Sequence, residues 1–316
     1  MPNYDTALLV KVAEMYFYQG ASQKEIGQLL SISTATVSRL LKEAYAQKIV
    51  KVEIVGINRS HSDIADAIKK EYGLESVSIV DTPAHCDENL LKKYIGQMAK
   101  GVLASVLNPD CTVGVGVGET IWEMIASFKV REIPFNFNVV SLMGGWSNAT
   151  SMNAESLNIL YRMSQTLGCT CKALLAPSVL TNRTLKEELL KEPEIMQVTS
   201  LWPKLDVAVF GIGPSINLSS HRSIYGEELE GVTGDICGWP LTNEGDVFKT
   251  ELTDRLMAIS PTQLMNAPVR IGIGGGKAKC ANTISALKDG YLTHLVTDYD
   301  TAKFVMDNGG TTDKRK

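Results

Sequence analysis

Histidine and cysteine are scarce in this 316-residue chain, and that scarcity removes several chemistries. Only four histidines accompany six cysteines, at 86, 111, 169, 171, 237 and 280, and no two cysteines make a Cys-x-x-Cys pair. A structural zinc site and a disulfide framework are both disfavoured, so reduced, buried thiols in a cytoplasmic protein are expected, with no metal and no cofactor. No apolar run approaches the ~18 residues of a membrane span. The opening Met-Pro-Asn-Tyr-Asp lacks a basic stretch leading into an apolar core, so neither a membrane partner nor a secretory signal is expected. Apolar residues make up 44% and charged residues 21%, which excludes wholesale disorder, and the length suits about two domains. The net charge of −4 argues against a surface that coats nucleic acid indiscriminately. Its distribution is uneven. Residues 1–60 carry seven Lys/Arg against five acids, so a slightly basic head precedes an acidic body.

The head reads as helices. Leu8, Leu9, Val12, Met15 and Tyr16 recur at helical spacing until Gly20. Ser22-Gln-Lys-Glu25 is a capping box opening a second helix with Ile26, Leu29 and Leu30 inside. A third helix runs from about Thr34 to Gln47 with Val37, Leu40, Leu41 and Ala44 inside. The second and third helices fit the helix-turn-helix template, which wants a small residue where the helices cross (Gly27) and a turn former between them (Ser31). Ser31 is an imperfect fit, because this turn favours the positive φ that glycine adopts freely. Three short helices also form ordinary bundles. What favours DNA is the outward face, where small polar residues replace the Glu/Lys lattice of a solvated helix. Gln23, Ser33, Thr34, Ala35, Thr36, Ser38, Arg39 and Lys42 are the expected contacts, with Arg39 reading guanine or clamping phosphate and Lys42 on phosphate. Lys51–Val55 reads as a short strand, Gly56–Ser60 as a hinge and His61–Tyr72 as a further amphipathic helix.

From Leu74 the texture changes to short apolar strands alternating with longer helices, which predicts a mostly parallel, helix-covered sheet. Candidate strands are Val77–Val80, Thr112–Val117, Asn138–Met143, Thr170–Leu175, Asp206–Ile212, Val269–Ile273 and His294–Val296. The fold class is therefore α/β: residues 1–56 form an all-α head, 57–73 a linker and helix, and 74–316 the sheet domain. Glycine-rich turns follow several strands. Gly114, Gly116 and Gly118 are spaced two apart and are not the dinucleotide fingerprint, yet glycine amides and a helix start favour an anion, with Thr120 adding a hydroxyl. Glu119 there must point away from a phosphate or bind sugar hydroxyls. Gly144-Gly145 and Gly213 repeat the pattern at two further strand ends. Ile271-Gly-Ile-Gly-Gly-Gly-Lys-Ala-Lys279, which includes Gly275, lacks the P-loop spacing but places two lysines at a glycine-rich helix start, a good anion site.

Gln23–Leu41 followed by Ile49–Ile54 resembles the head of SorC-family bacterial transcriptional regulators. The resemblance continues through Gly114–Thr120, Leu142–Gly145, Ala173–Pro177, Val209–Gly213, Gly234–Gly238 and Ile273–Ala302, nearly the whole chain. It implies a sugar-phosphate-binding domain related in fold to phosphosugar isomerases, and oligomeric members. It also places the family's lysine at Lys279, a sugar or phosphate partner at Asn153 and a hydroxyl-binding acid at Asp246. Thr242 stands where many relatives carry Asp, and Trp239-Pro240 is unusual. The expected partners are double-stranded operator DNA, a phosphorylated sugar or polyol and further copies of the chain, as dimer or tetramer. The rival is a phosphosugar isomerase or deaminase on the same fold. That chemistry needs a positioned acid and base, and His85, His221 and His294 show no motif pairing with carboxylates.

Overall fold

The computed structural model describes residues 5–17, 20–47, 49–50, 61–83, 86–145, 155–214 and 230–310. The chain divides into two compact units, 1–57 and 58–316. The expected strand at Lys51–Val55 and hinge at Gly56–Ser60 lie outside the described residues.

The first unit contains α1 (Thr6–Phe17), α2 (Gln23–Leu29) and α3 (Thr34–Ala46). Leu9, Val12, Ile26, Val37, Leu40 and Ala44 are fully buried and make one small core. The capping box forms as read. The Glu25 N–H donates to Ser22 Oγ at 3.3 Å, and the Ser22 N–H donates to the Glu25 carboxylate at 2.8 Å. That carboxylate is held below its ordinary pKa by these bonds. Gly27 is the crossing point, since a Cβ there would lie 2.8 Å from the Ile32 carbonyl oxygen. Ser31 adopts φ +54°, so this serine sits where glycine is favoured.

The second unit opens with α4 (Ser62–Tyr72) and continues through β1 (Ser76–Val80), α5 (Glu88–Val106), β2 (Thr112–Val115), α6 (Glu119–Ala126), β3 (Asn138–Ser141), α7 (Ser156–Leu167) and β4 (Thr170–Lys172). Next come α8 (Arg183–Leu189), α9 (Pro193–Thr199), β5 (Val207–Gly211), β6 (Val232–Ile236), β7 (Trp239–Thr242), α10 (Glu251–Asp254) and α11 (Pro261–Asn266). The unit closes with β8 (Val269–Ile273), α12 (Cys280–Lys288), β9 (His294–Asp298) and α13 (Tyr299–Asn308). Seven strands form one sheet in the order β1-β9-β8-β5-β2-β3-β4, and every pairing in it is parallel. These are the seven strands read from the apolar runs.

Both faces of the sheet are covered, as an all-parallel sheet requires. Along β5, Val207 and Val209 join one core while Ala208 and Phe210 join the other. From β2 the chain steps outward through β3 and β4, then returns to the opposite flank of β2 as β5. The carboxyl ends of β2 and β5 therefore flank a topological switch point, where open parallel sheets bind ligands.

The β6–β7 hairpin is not among the candidate strands read from the sequence. Gly234 lies at an irregularity in the pairing, and Pro240 sits inside β7, a residue that normally argues against a strand. Its two-residue turn has positive φ at both positions, Cys237 at +48° and Gly238 at +79°, the type I′ signature with a cysteine in place of the usual Asn or Asp.

Candidate functional site

Two regions carry the expected contacts. In the first unit, Ser33, Thr34, Ala35, Arg39 and Lys42 are exposed, while Gln23, Thr36 and Ser38 are half-buried. Ser33 also has a structural task that the sequence reading did not give it. It caps α3, accepting from the Thr36 N–H at 3.1 Å and meeting the Thr36 hydroxyl at 2.8 Å. The Arg39 Nε–H donates to the Ala35 carbonyl at 3.4 Å, a bond that does not use its two terminal nitrogens.

In the second unit, all the glycine turns lie at one end of the sheet, because the strands they follow are parallel. Most of those glycines are not the anion cradle expected of them. The Gly116 N–H donates to Val209 O, Gly144 to Met257 O, Gly145 to Ala176 O and Gly213 to Asp235 O, all at 2.9–3.0 Å. Gly275 packs against the Asp298 carboxylate and Ile95, and the Gly276 N–H already donates to Asp298 Oδ2 at 2.7 Å. Gly144, Gly213 and Gly275 need glycine because neighbouring backbone or buried carboxylates come too close for a Cβ. The exception is Gly118. It adopts φ +132° ahead of α6 with open space around it, and no side-chain hydrogen bond caps that helix. The leading N–H groups of α6, from Glu119 and Thr120, therefore face the switch point uncapped.

Lys279 stands beside this helix start. It is half-buried, and its Cδ passes 3.5 Å from where a side chain on Gly274 would begin. Burial, then the nearby Lys92 charge, pushes its ammonium below the ordinary lysine value, and Glu88, Asp235 and Glu119 oppose that only in part. Lys92, on α5, bridges Glu119 at 2.5 Å and Glu88 at 2.7 Å. Burial alone would lower its pKa, but these two carboxylates, Glu119 foremost, hold it above the ordinary value. Glu119 thus turns its charge onto Lys92, one of the two arrangements under which it is tolerable beside an anion. Thr120 is buried.

Asp246 does not join this group. Its loop packs at the opposite end of α12, where a Cβ on Gly245 would meet Ser285 O at 2.6 Å and Asp289 N at 3.1 Å. The ten residue steps from Lys279 to Asp289, along α12 and its two caps, span about 15 Å. The hairpin explains the displacement, since β7 carries the chain back down from the turn at Cys237. The hairpin acid whose charge reaches Lys279 is Asp235 on β6, which is buried and accepts from the Gly238 N–H at 3.0 Å. Asn282, fully buried on α12, braces that strand by donating to Gly213 O and Asp235 O, each at 2.9 Å. Asn153 lies outside the described residues, as do His85 and His221.

Sequence reasoning passed over Lys92 because an (i, i+4) pair with Glu88 looks like an ordinary solvated helix surface. Asn282 did leave a signal: Asn282, Thr283 and Ser285 are polar residues on a helix buried nearly all round. As for acid–base chemistry, His294 begins β9, at the sheet end away from the glycine turns, and burial lowers its pKa. Among the described residues no group of three or more His, Cys, Asp or Glu is placed to hold a metal ion.

Comparison with known proteins agrees with this architecture. The family described as "Putative sugar-binding domain" matches residues 58–307, and sigma-70 region 4 matches residues 11–47, over the helix-turn-helix. The sorbitol operon regulator of Klebsiella pneumoniae is 26% identical over 310 residues, covering 96% of this chain and 98% of the relative. The chain belongs to the SorC family of transcriptional regulators. The crystal structure of full-length SorC from Klebsiella pneumoniae superposes with a TM-score of 0.79 at 25% identity, covering 96% of this chain and 100% of that one. The transcriptional regulator LsrR of Escherichia coli K12 is 28% identical over 316 residues, with 94% of each chain covered. A transcriptional regulator from Streptococcus pneumoniae shares the fold, with a TM-score of 0.71 at 23% identity over 79% of this chain and 98% of that one. This SorC-family member is a regulator with a sugar-binding domain and not an enzyme. No helix among its described residues is long and apolar enough to cross a membrane.

Proposed function

We propose that this chain is a cytoplasmic regulator that binds a near-palindromic operator as a symmetric dimer or tetramer, and that a phosphorylated sugar or polyol sets its operator affinity. Residues 1–56 hold the DNA, residues 57–73 link, and residues 74–316 take the effector and assemble the oligomer. In the head, Arg39 and Lys42 with the small residues Thr34 and Ala35 enter the major groove, and a single recognition helix needs two half-sites for useful specificity.

In the body, the phosphate meets the uncapped start of α6 at Gly118–Thr120 together with Lys279. The carboxylates of Asp235 and Glu119, beside Lys279, add acceptors for sugar hydroxyls to the bonds they already make. The observation that carries this reading is Lys279 itself, a lysine whose charge is penalised by burial and by Lys92 at the switch point of a parallel sheet. An anion arriving there relieves that penalty. The sorbitol operon regulator among the relatives makes hexitol phosphates the first ligands to test. Deletion of residues 1–57 tests the division of labour. Calorimetry should show hexitol phosphate binding retained by the truncated chain, and fluorescence anisotropy should show operator binding lost. Operator binding that survives the deletion contradicts the assignment.

A further inference from the structure

A cavity of about 460 Å³ opens in the body between α8, α9, the β6–β7 hairpin and α11, and shares no residue with the Lys279 site. Its chemistry differs from that of a sugar site. Trp202 and Trp239 form its walls with Leu190 and Met196. Both indole N–H groups are already committed, Trp202 to Ser141 O at 2.8 Å and Trp239 to Ile259 O at 2.7 Å. Both rings are therefore held in place; Trp202 is buried, and the half-buried Trp239 offers a face and not a donor. Thr199, Ser200, Ser260 and Gln263 supply polar groups at its edge, while the indoles, Leu190, Met196, Leu256 and Met257 make an apolar wall on which a flat apolar body gains by stacking.

One cation lines the cavity. Lys186 is half-buried and makes no ion pair among the described residues. Burial, the largest influence, pushes its ammonium below the ordinary value; the Asp254 and Glu187 charges oppose this and the Arg183 charge adds to it. Across the cavity, the side-chain oxygen of Gln263 is held by the Ser260 N–H and hydroxyl, both at 3.0 Å, which fixes the orientation of its amide. A pre-set aromatic face with one unpaired ammonium describes a site for a small amphipathic monoanion. We propose that this cavity binds a one- or two-ring aromatic carboxylate, with the ring system against Trp239 and the carboxylate on Lys186.

Calorimetry on the full-length chain with 1-naphthoate tests this. The expected result is saturable binding at one site per chain. Lys186→Met should weaken it at least tenfold, with the thermal melt unchanged. The neutral analogue 1-naphthalenemethanol should bind wild type at least tenfold more weakly than the carboxylate and should not distinguish wild type from Lys186→Met. Lys279→Met should leave 1-naphthoate affinity within twofold, because the two sites are separate. Absence of saturable binding at millimolar 1-naphthoate overturns the proposal. So does equal binding by wild type and Lys186→Met, which marks non-specific adsorption to apolar surface, or loss of binding in Lys279→Met, which places the ligand in the other site.

Discussion

Replacing Lys279 by Met is the perturbation that bears most directly on the effector site. The side chain is half-buried at the carboxyl ends of the strands, so Met keeps its volume and apolar stem while removing the ammonium. In the free protein that ammonium is disfavoured by burial and by Lys92, so its loss should leave the melting temperature unchanged or higher. In the complex it makes a charge-assisted contact to phosphate worth roughly 1.5–3 kcal/mol, so affinity should fall about 10- to 150-fold. The pH dependence follows in sign. Lys279 is charged below its lowered pKa, and a bound anion raises that pKa. Wild-type affinity is therefore full below the free-protein pKa and falls as pH rises through it, earlier than an ordinary lysine would dictate. The mutant lacks this alkaline loss. Calorimetry with hexitol and hexose phosphates at several pH values reads both effects. Wild type and mutant binding the phosphates equally, or a mutant that melts several degrees lower, would refute the reasoning.

Other outcomes follow from the same structure. Arg39→Ala should weaken specific operator binding by about 1–3 kcal/mol, and Lys42→Ala should lower the salt dependence by about one counterion without changing sequence preference, both measured by anisotropy titrations. Ser31→Gly should stabilise the head by up to ~1 kcal/mol, because Ser31 holds φ +54°, and a lower melting temperature would contradict that account of the turn. Ser22→Ala, which removes the capping box of α2, should destabilise the head by about 1 kcal/mol in thermal melts. Asp246→Ala should leave hexitol phosphate affinity within twofold, since its loop packs at the far end of α12; a tenfold loss would return Asp246 to the site.

The strands of the sheet were legible because a parallel sheet buried on both faces demands continuous apolar runs, and Val207–Phe210 supplies nothing else. The head was legible through spacing: Gly27, Val37 and Leu40 have roles that only their positions relative to one another define. The glycine turns were located correctly but for a different physical cause. Gly144 and Gly213 are there because Ala176, Pro177 and Asp235 press against them, and close packing leaves the same mark in a sequence as an anion cradle. What one sequence hides is partnership across distance. Lys92 meets Glu119 across 27 residues, and Asn282 meets Gly213 across 69, with no local pattern to announce either. The hairpin was hidden by its own exceptions, a proline inside β7 and a cysteine in the left-handed region of its turn.

The central claim is that one chain couples a ligand at the sheet's switch point to DNA held by α3. Coupling is reciprocal, so it is measured most directly as a closed cycle. Operator affinity is titrated with and without a saturating phosphorylated sugar or polyol already shown to bind, and the affinity of that ligand is titrated with and without saturating operator. The account predicts the same factor from both titrations, about 5- to 150-fold for a coupling of ~1–3 kcal/mol. It also predicts that the factor at subsaturating ligand shrinks in Lys279→Met. Operator affinity that stays constant with the binder present would contradict it.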